Sequence, residues 1–188
     1  MSVMRALGID PGTLNLGWGI VERDGNRLVH VAHGVIALEA GAPLAERLVG
    51  IADGLESLIT KYAPTVGAIE ALFYNKDPQA AAKLGHARGV AMLCLGRAEL
   101  EVGEYPPARV KQTVVGSGRA EKRQVAMMVK ALLGLSTLPP LDAADALAVS
   151  ITHLRIGTMA ERLSAPTRSL PPRLLAALKM RRSRGGAR

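Results

Sequence analysis

The 188-residue chain is 48% hydrophobic but only 3% aromatic, so a single sizeable core built from Ala, Leu, Val and Ile is expected rather than two full domains. One cysteine, Cys94, excludes an internal disulfide. No run of about 18 apolar residues offers a transmembrane helix, and the start Met-Ser-Val-Met-Arg lacks the apolar stretch of a signal peptide, so a cytoplasmic location is expected. The net charge of +8 is uneven: residues 162–188 carry eight basic and no acidic side chains, while the chain before them is balanced. This predicts a folded domain over 1–158 and a basic, flexible tail over 159–188.

Residues 5–10 form a short aliphatic run ending in Asp-Pro-Gly-Thr, which reads as a buried strand leading into a turn. Residues 16–23 and 28–38 follow as strands joined by the turn signal Asp24-Gly25-Asn26. Leu44, Leu48, Ile51, Leu55 and Leu58 recur at the helical period, and Pro64 stops that helix. A strand at 66–70, a polar-aromatic loop at 72–78 and a long Ala-rich helix at 79–100 come next. Residues 102–105 read as a strand closed by Pro106-Pro107. After the Gly116-Ser117-Gly118 break, Val125, Met128, Val129 and Leu132 mark an amphipathic helix over 121–133. A last helix carries Asp142 and runs to about residue 155. The order predicts an α/β fold whose mixed sheet is antiparallel in its first three strands and parallel where helices intervene.

Four acids stand out. Asp10 and Glu70 end predicted strands, the position where open α/β sheets bind ligands. Glu70 follows Val-Gly-Ala-Ile in a strand that otherwise reads as buried, an unusual place for a solvated acid. Asp142 and Asp145 are three residues apart on one helix face, where like charges repel unless something neutralises them. Each has a plainer reading: Asp10 as a turn starter, Asp142 as a helix N-cap with Asp145 favouring the helix dipole. Together, four carboxylates on three elements match two Mg²⁺ ions in a phosphoryl-transfer site, Mn²⁺ being an acceptable substitute. The chain offers no His-Glu-x-x-His, paired cysteines, Walker lysine or nucleophile elbow as a rival chemistry. Between residues 105 and 130, Arg109, Lys111, Arg119, Lys122, Arg123 and Lys130 face Glu121 alone, a stripe that suits a polyanion and equally a solvated helix face.

Six blocks in order, Gly8-Ile-Asp-Pro-Gly-Thr13, Ala68-Ile-Glu70, Lys83-Leu-Gly-His-Ala-Arg-Gly-Val90, Arg109-Val-Lys-Gln-Thr-Val-Val-Gly116, Ala120-Glu-Lys122 and Asp142-Ala-Ala-Asp-Ala-Leu147, closely resemble the RuvC family of bacterial Holliday-junction resolvases, within the RNase H-like superfamily. The match runs over about residues 4–156. The resemblance implies an RNase H-like fold and a homodimer that nicks two strands of like polarity in a four-way DNA junction, leaving 5′-phosphate and 3′-hydroxyl ends. Branch-migration motor proteins of the RuvA and RuvB type are the implied partners. Asp10, Glu70, Asp142 and Asp145 fall on the family's metal ligands, Lys111 and Lys122 on basic residues near the scissile phosphate, and Phe73 on the loop aromatic that stacks on bases. Lys122 is thereby counted with the catalytic residues. His86, where a Gln is common, the loop from Phe73 to Pro78 and the basic tail depart from the pattern.

Residue chemistry adds to this list. An exposed Phe73 can replace a base's lost stacking partner by about 1–3 kcal/mol, or it can fold back on the core, and Tyr74 can do either. Lys83 and Arg88 are near i, i+4 spacing on one helix and can contact backbone phosphates together. Lys122 can stabilise the charge that develops in phosphate cleavage. Two other functions compete: a non-catalytic junction-binding module, served by the basic stripe alone, and a fragment of an actin-like or sugar-kinase-type ATPase, whose phosphate loop also places Asp-x-Gly-Thr after a first strand.

Overall fold

A computed structural model describes residues 3–71 and 78–164, the side chains of 157–164 excepted. The aliphatic run at the start forms β1 (Met4–Asp10), and the hairpin signal after it joins β2 (Asn15–Asp24) to β3 (Arg27–Ala37). Gly25 takes φ +59 as the first central residue of a two-residue connection, the position where type II′ hairpins favour glycine. Next come α1 (Leu44–Tyr62), β4 (Val66–Glu70), α2 (Pro78–Arg97) and β5 (Glu101–Tyr105). The described chain closes with α3 (Pro107–Val115), α4 (Lys122–Leu133) and α5 (Leu141–Ser164).

The five strands lie in the order β3-β2-β1-β4-β5. β1 pairs antiparallel with β2 and parallel with β4, so the mixed sheet foreseen from the element order is present. Strand residues alternate between faces. Leu7, Ile9 and Ile69 pack with Ile51 and Leu55 of α1 and Ala91 and Leu95 of α2. Ala6, Val66 and Ala68 pack instead with Val110, Val125, Val129 and Leu147, from α3, α4 and α5. By the same alternation Asp10 and Glu70 belong to the second face, beneath α5.

That helix lies unusually close to the sheet. A Cβ on Gly8 would sit 2.2 Å from the Ala146 carbonyl oxygen, and one on Gly17 would sit 2.0 Å from that of Asp142. Only hydrogen fits at those two positions. The helix answers with small residues, Ala143, Ala144, Ala146 and Ala148, all buried. Ser150, fully buried among them, satisfies its hydroxyl by donating to the Gly19 carbonyl at 2.8 Å, which ties α5 to β2.

Two elements differ from expectation. Residues 107–115 form α3, a helix the sequence reading did not assign: Pro107 is a helix start rather than a strand stop, because proline at the first helical position loses no needed N–H. Gly116, at φ +87, then ends the helix in the left-handed region. The other difference is that α5 continues in helical backbone to Ser164, past the expected end near 155. The chain divides after Ile156: the unit Met1–Ile156 contains the whole sheet, and of the remainder only the helical backbone to Ser164 is described.

Candidate active site

The strand register brings the first two acids together. Ile9 and Ile69 are the last pair across the parallel β1–β4 ladder, so Asp10 and Glu70 follow side by side at the strand ends. Asp10 also lies opposite Gly17 on β2, and it is Gly17 that touches the Asp142 backbone. The start of α5 is thus seated directly over the end of β1. Asp142 and Asp145 follow in its first turns on one face. Asp142 is not the cap, because the Pro140 carbonyl already accepts the first helical bond from the Ala144 N–H at 2.8 Å. It sits inside the first turn instead.

Lys122, the first residue of α4, donates from Nζ to Asp145 Oδ2 at 2.8 Å. The turn before it is held because the Glu121 N–H donates to Gln124 Oε1 at 2.8 Å. Glu70, Lys111, Lys122 and Asp145, with Pro107, Val110 and Val125, line a cleft of about 240 Å³. Hence α3 contributes Lys111 to the same cleft that receives Lys122 from α4.

The four carboxylates and Lys122 act on one another electrostatically. Burial, then the charges of Glu70 and Asp145, raise the Asp10 pKa from 3.8 to about 8, with Asp142 adding and Lys122 opposing. Glu70 is also pushed up, by burial and then by Asp145, while a hydrogen bond with Asp10, and Lys122 and Lys111, act the other way. Both shifts run upward because burial and the neighbouring charges disfavour ionising the two carboxylates together. Lys122 is held above its usual range, first by its hydrogen bond to Asp145.

The other sequence-derived residues are distributed differently. Lys83 is exposed on α2. Arg88, on the same helix, is ion-paired with Glu104 of β5 and its side chain is only 16% exposed. Phe73 and Tyr74 lie outside the described residues. The sequence reading overlooked Gly17 and Ser150, the residues that set the height and position of α5. Their signal was available: glycine within a strand marks close approach of another backbone, and a serine inside an otherwise apolar helix needs a partner. The Glu121-x-x-Gln124 spacing that precedes a helix was equally readable.

Residues 6–153 match the family model described as "Crossover junction endodeoxyribonuclease RuvC". The chain is 52% identical over 170 residues to the protein of that name from Sorangium cellulosum, covering 90% of this chain and 95% of the relative. The relative from Syntrophotalea carbinolica, with the same name, is 55% identical over 150 residues, 80% of this chain and 93% of its own. Among solved structures, "T. thermophilus RuvC in complex with Holliday junction substrate" superposes with a TM-score of 0.79 at 33% identity, covering 84% of this chain and 96% of that one.

Proposed function

We propose, from the premise that the chain belongs to the RuvC family, that Asp10, Glu70, Asp142 and Asp145 are the metal-holding acids of its nuclease site and that Lys122 is the catalytic cation beside them. The protein is a crossover junction endodeoxyribonuclease, a Holliday-junction resolvase, and a metal-dependent one. The observation that carries the site assignment is the meeting of two strand ends and one helix start, with Lys122 bonded to Asp145 inside the same cleft.

The residues fit a hard divalent cation. All donors are carboxylate oxygens, and burial and mutual repulsion push Asp10 and Glu70 toward their protonated forms, a tendency a bound cation would oppose. Among the described residues no three carboxylate, imidazole or thiol side chains are grouped so as to cage one ion unaided. Mg²⁺ does not need such a cage, because it takes one or two carboxylates and completes its shell with water and substrate phosphate. Four acids match the charge of two such ions. When bound, they supply Lewis-acid activation of water and of the leaving oxygen.

The chain's own groups do the rest. Asp10, Glu70, Asp142 and Asp145 would hold the cations from the two strand ends and the start of α5. Lys122 is positioned by Asp145 so that its ammonium faces the cleft, where it stabilises charge developing on a phosphate oxygen. Lys111, on the same wall, fixes the backbone of the strand to be cut, while Lys83 and Arg88 serve phosphates from α2, Arg88 after leaving Glu104. Phe73 and Tyr74 stack on bases opened at the crossover. A homodimer brings two such sites to one four-way junction and nicks strands of like polarity, leaving 5′-phosphate and 3′-hydroxyl ends, with branch-migration motors delivering the junction. The nuclease domain spans 1–158, the basic tail 159–188 adds DNA affinity, and the cytoplasm, where the chromosome lies, is the place of action.

The deciding experiment incubates the protein with a synthetic mobile junction and Mg²⁺ and maps the nicks. Paired symmetric nicks are expected. Binding without cleavage would favour the junction-binding module, and nucleotide hydrolysis without junction binding would favour the ATPase reading.

A further inference from the structure

Arg47 occupies a place where the helix calls for a leucine. It lies one turn before Ile51 and two before Leu55, the two fully buried residues of α1, so its stem points at the face of the sheet opposite the acids. The head folds back onto the chain and is partly buried, where a long cation at such a position usually reaches into solvent. Its Nη1 donates to the Thr13 carbonyl at 3.1 Å, and its Nε is buried without a hydrogen-bond partner. A buried donor of a charged group left unmet destabilises the fold, so the side chain is held there at some expense to stability.

Thr13 belongs to the turn, residues 11–14, that closes the β1–β2 hairpin. The turn is tight: a Cβ on Gly12 would sit 2.0 Å from the Asn15 carbonyl oxygen. Among the described residues two hydrogen bonds tie it to the rest of the fold. One is the Leu38 N–H, which donates to the Leu14 carbonyl at 2.8 Å, and the other is Arg47. The turn connects Asp10 to its ladder partner Gly17, and Gly17 abuts the Asp142 backbone. A displacement of this turn therefore moves both a strand-end acid and the seat of the helix that carries the other two.

We propose that Arg47 is a positioning residue for strand cleavage: from the far face of the sheet it clamps the turn that sets Asp10 against the start of α5. This rests on the resolvase reading above for its effect on chemistry, though the clamp itself does not depend on that reading. The test compares wild type with Arg47→Ala and Arg47→Lys by amide exchange at Leu38 without metal or DNA, by junction affinity without Mg²⁺, and by single-turnover cleavage with Mg²⁺. In Arg47→Ala, Leu38 exchange rises about tenfold, as expected for one charged hydrogen bond lost, while β4 amides, the control for global unfolding, stay protected. Cleavage falls about 10²-fold with junction affinity unchanged, the loss typical of a small misplacement at a reacting centre. Arg47→Lys, which can still offer one donor to Thr13, recovers part of both effects. Unchanged Leu38 exchange overturns the clamp, changed exchange with wild-type cleavage overturns its role in positioning, and lost affinity at an unchanged rate makes Arg47 a phosphate contact instead. If the wild type itself cleaves no junction, the resolvase reading fails while the Leu38 result still decides the clamp.

Discussion

The two faces of the sheet are built to different specifications. Against α1 and α2 the strands present large aliphatic side chains, Leu7, Ile9, Ile20 and Ile69, which meet Ile51, Leu55 and Leu95. Against α5 they present Gly8, Gly17 and Gly19, which meet the Ala146 carbonyl, the Asp142 carbonyl and Leu147. Large side chains fill volume and stabilise by burial. Bare backbones instead hold a helix at a fixed, short distance. The first face stabilises the fold, and the second brings Asp142 and Asp145 within reach of Asp10 and Glu70.

The sharpest way to test this division is to remove one acid without disturbing the contact surface. Asp145→Asn is expected to lower Mg²⁺-dependent cleavage at least about 10³-fold, near 4 kcal/mol of barrier, while junction binding persists. Single-turnover nicking and a binding titration measure the two, and wild-type nicking would sink the metal role. On the other face, Leu55→Ala is expected to cost about 2–5 kcal/mol of stability in denaturant melts and to leave the cleavage rate of the folded protein intact. Gly17→Ala reverses the pattern. It forces a methyl group against the Asp142 carbonyl for a smaller loss of about 1–3 kcal/mol, yet slows cleavage by lifting the start of α5. If Gly17→Ala and Leu55→Ala gave the same ratio of stability to activity, the two faces would not divide stability from positioning.

The acids also impose a pH signature on that second face. Asp10 titrates near 8 in the fold against 3.8 ordinarily, so the stability it contributes is complete below about pH 4 and is lost as the pH rises through 8. With a chelator present, Asp10→Asn is therefore expected to melt higher than wild type at pH 9, the gap narrowing toward pH 4. Parallel melting curves across that range would contradict the burial of this charge. The smallest effect on chemistry is expected from the tail: truncation near residue 160 removes up to eight cations, lowering the salt dependence of junction binding and sparing the cleavage rate.

Much of this was legible in the sequence, because the signals were local. The apolar run ending at Asp10, the strand ending at Glu70 and the i, i+3 acids on an apolar helix each carry their own pattern, and the mixed sheet follows from element order. What was not legible depends on two segments at once. Pro107 reads as a stop until the strand before it and the helix after it are both in place. Arg88 reads as a free phosphate contact until β5 brings Glu104 beside it. Asp142 reads as a cap until the Pro140 carbonyl is seen to take that bond. Gly17 matters only because α5 arrives from more than a hundred residues away.

The glycine floor also shapes how this sequence can drift. At Gly8 and Gly17 every single-nucleotide change that alters the residue adds atoms where none fit, so no gradual path of ever larger side chains leads away from the present arrangement. The aliphatic face has many such paths, since leucine, isoleucine, valine and methionine exchange there at modest cost. A library of random substitutions screened for folding alone would vary most on the aliphatic side, and one screened for junction cleavage would leave the floor beneath α5 bare.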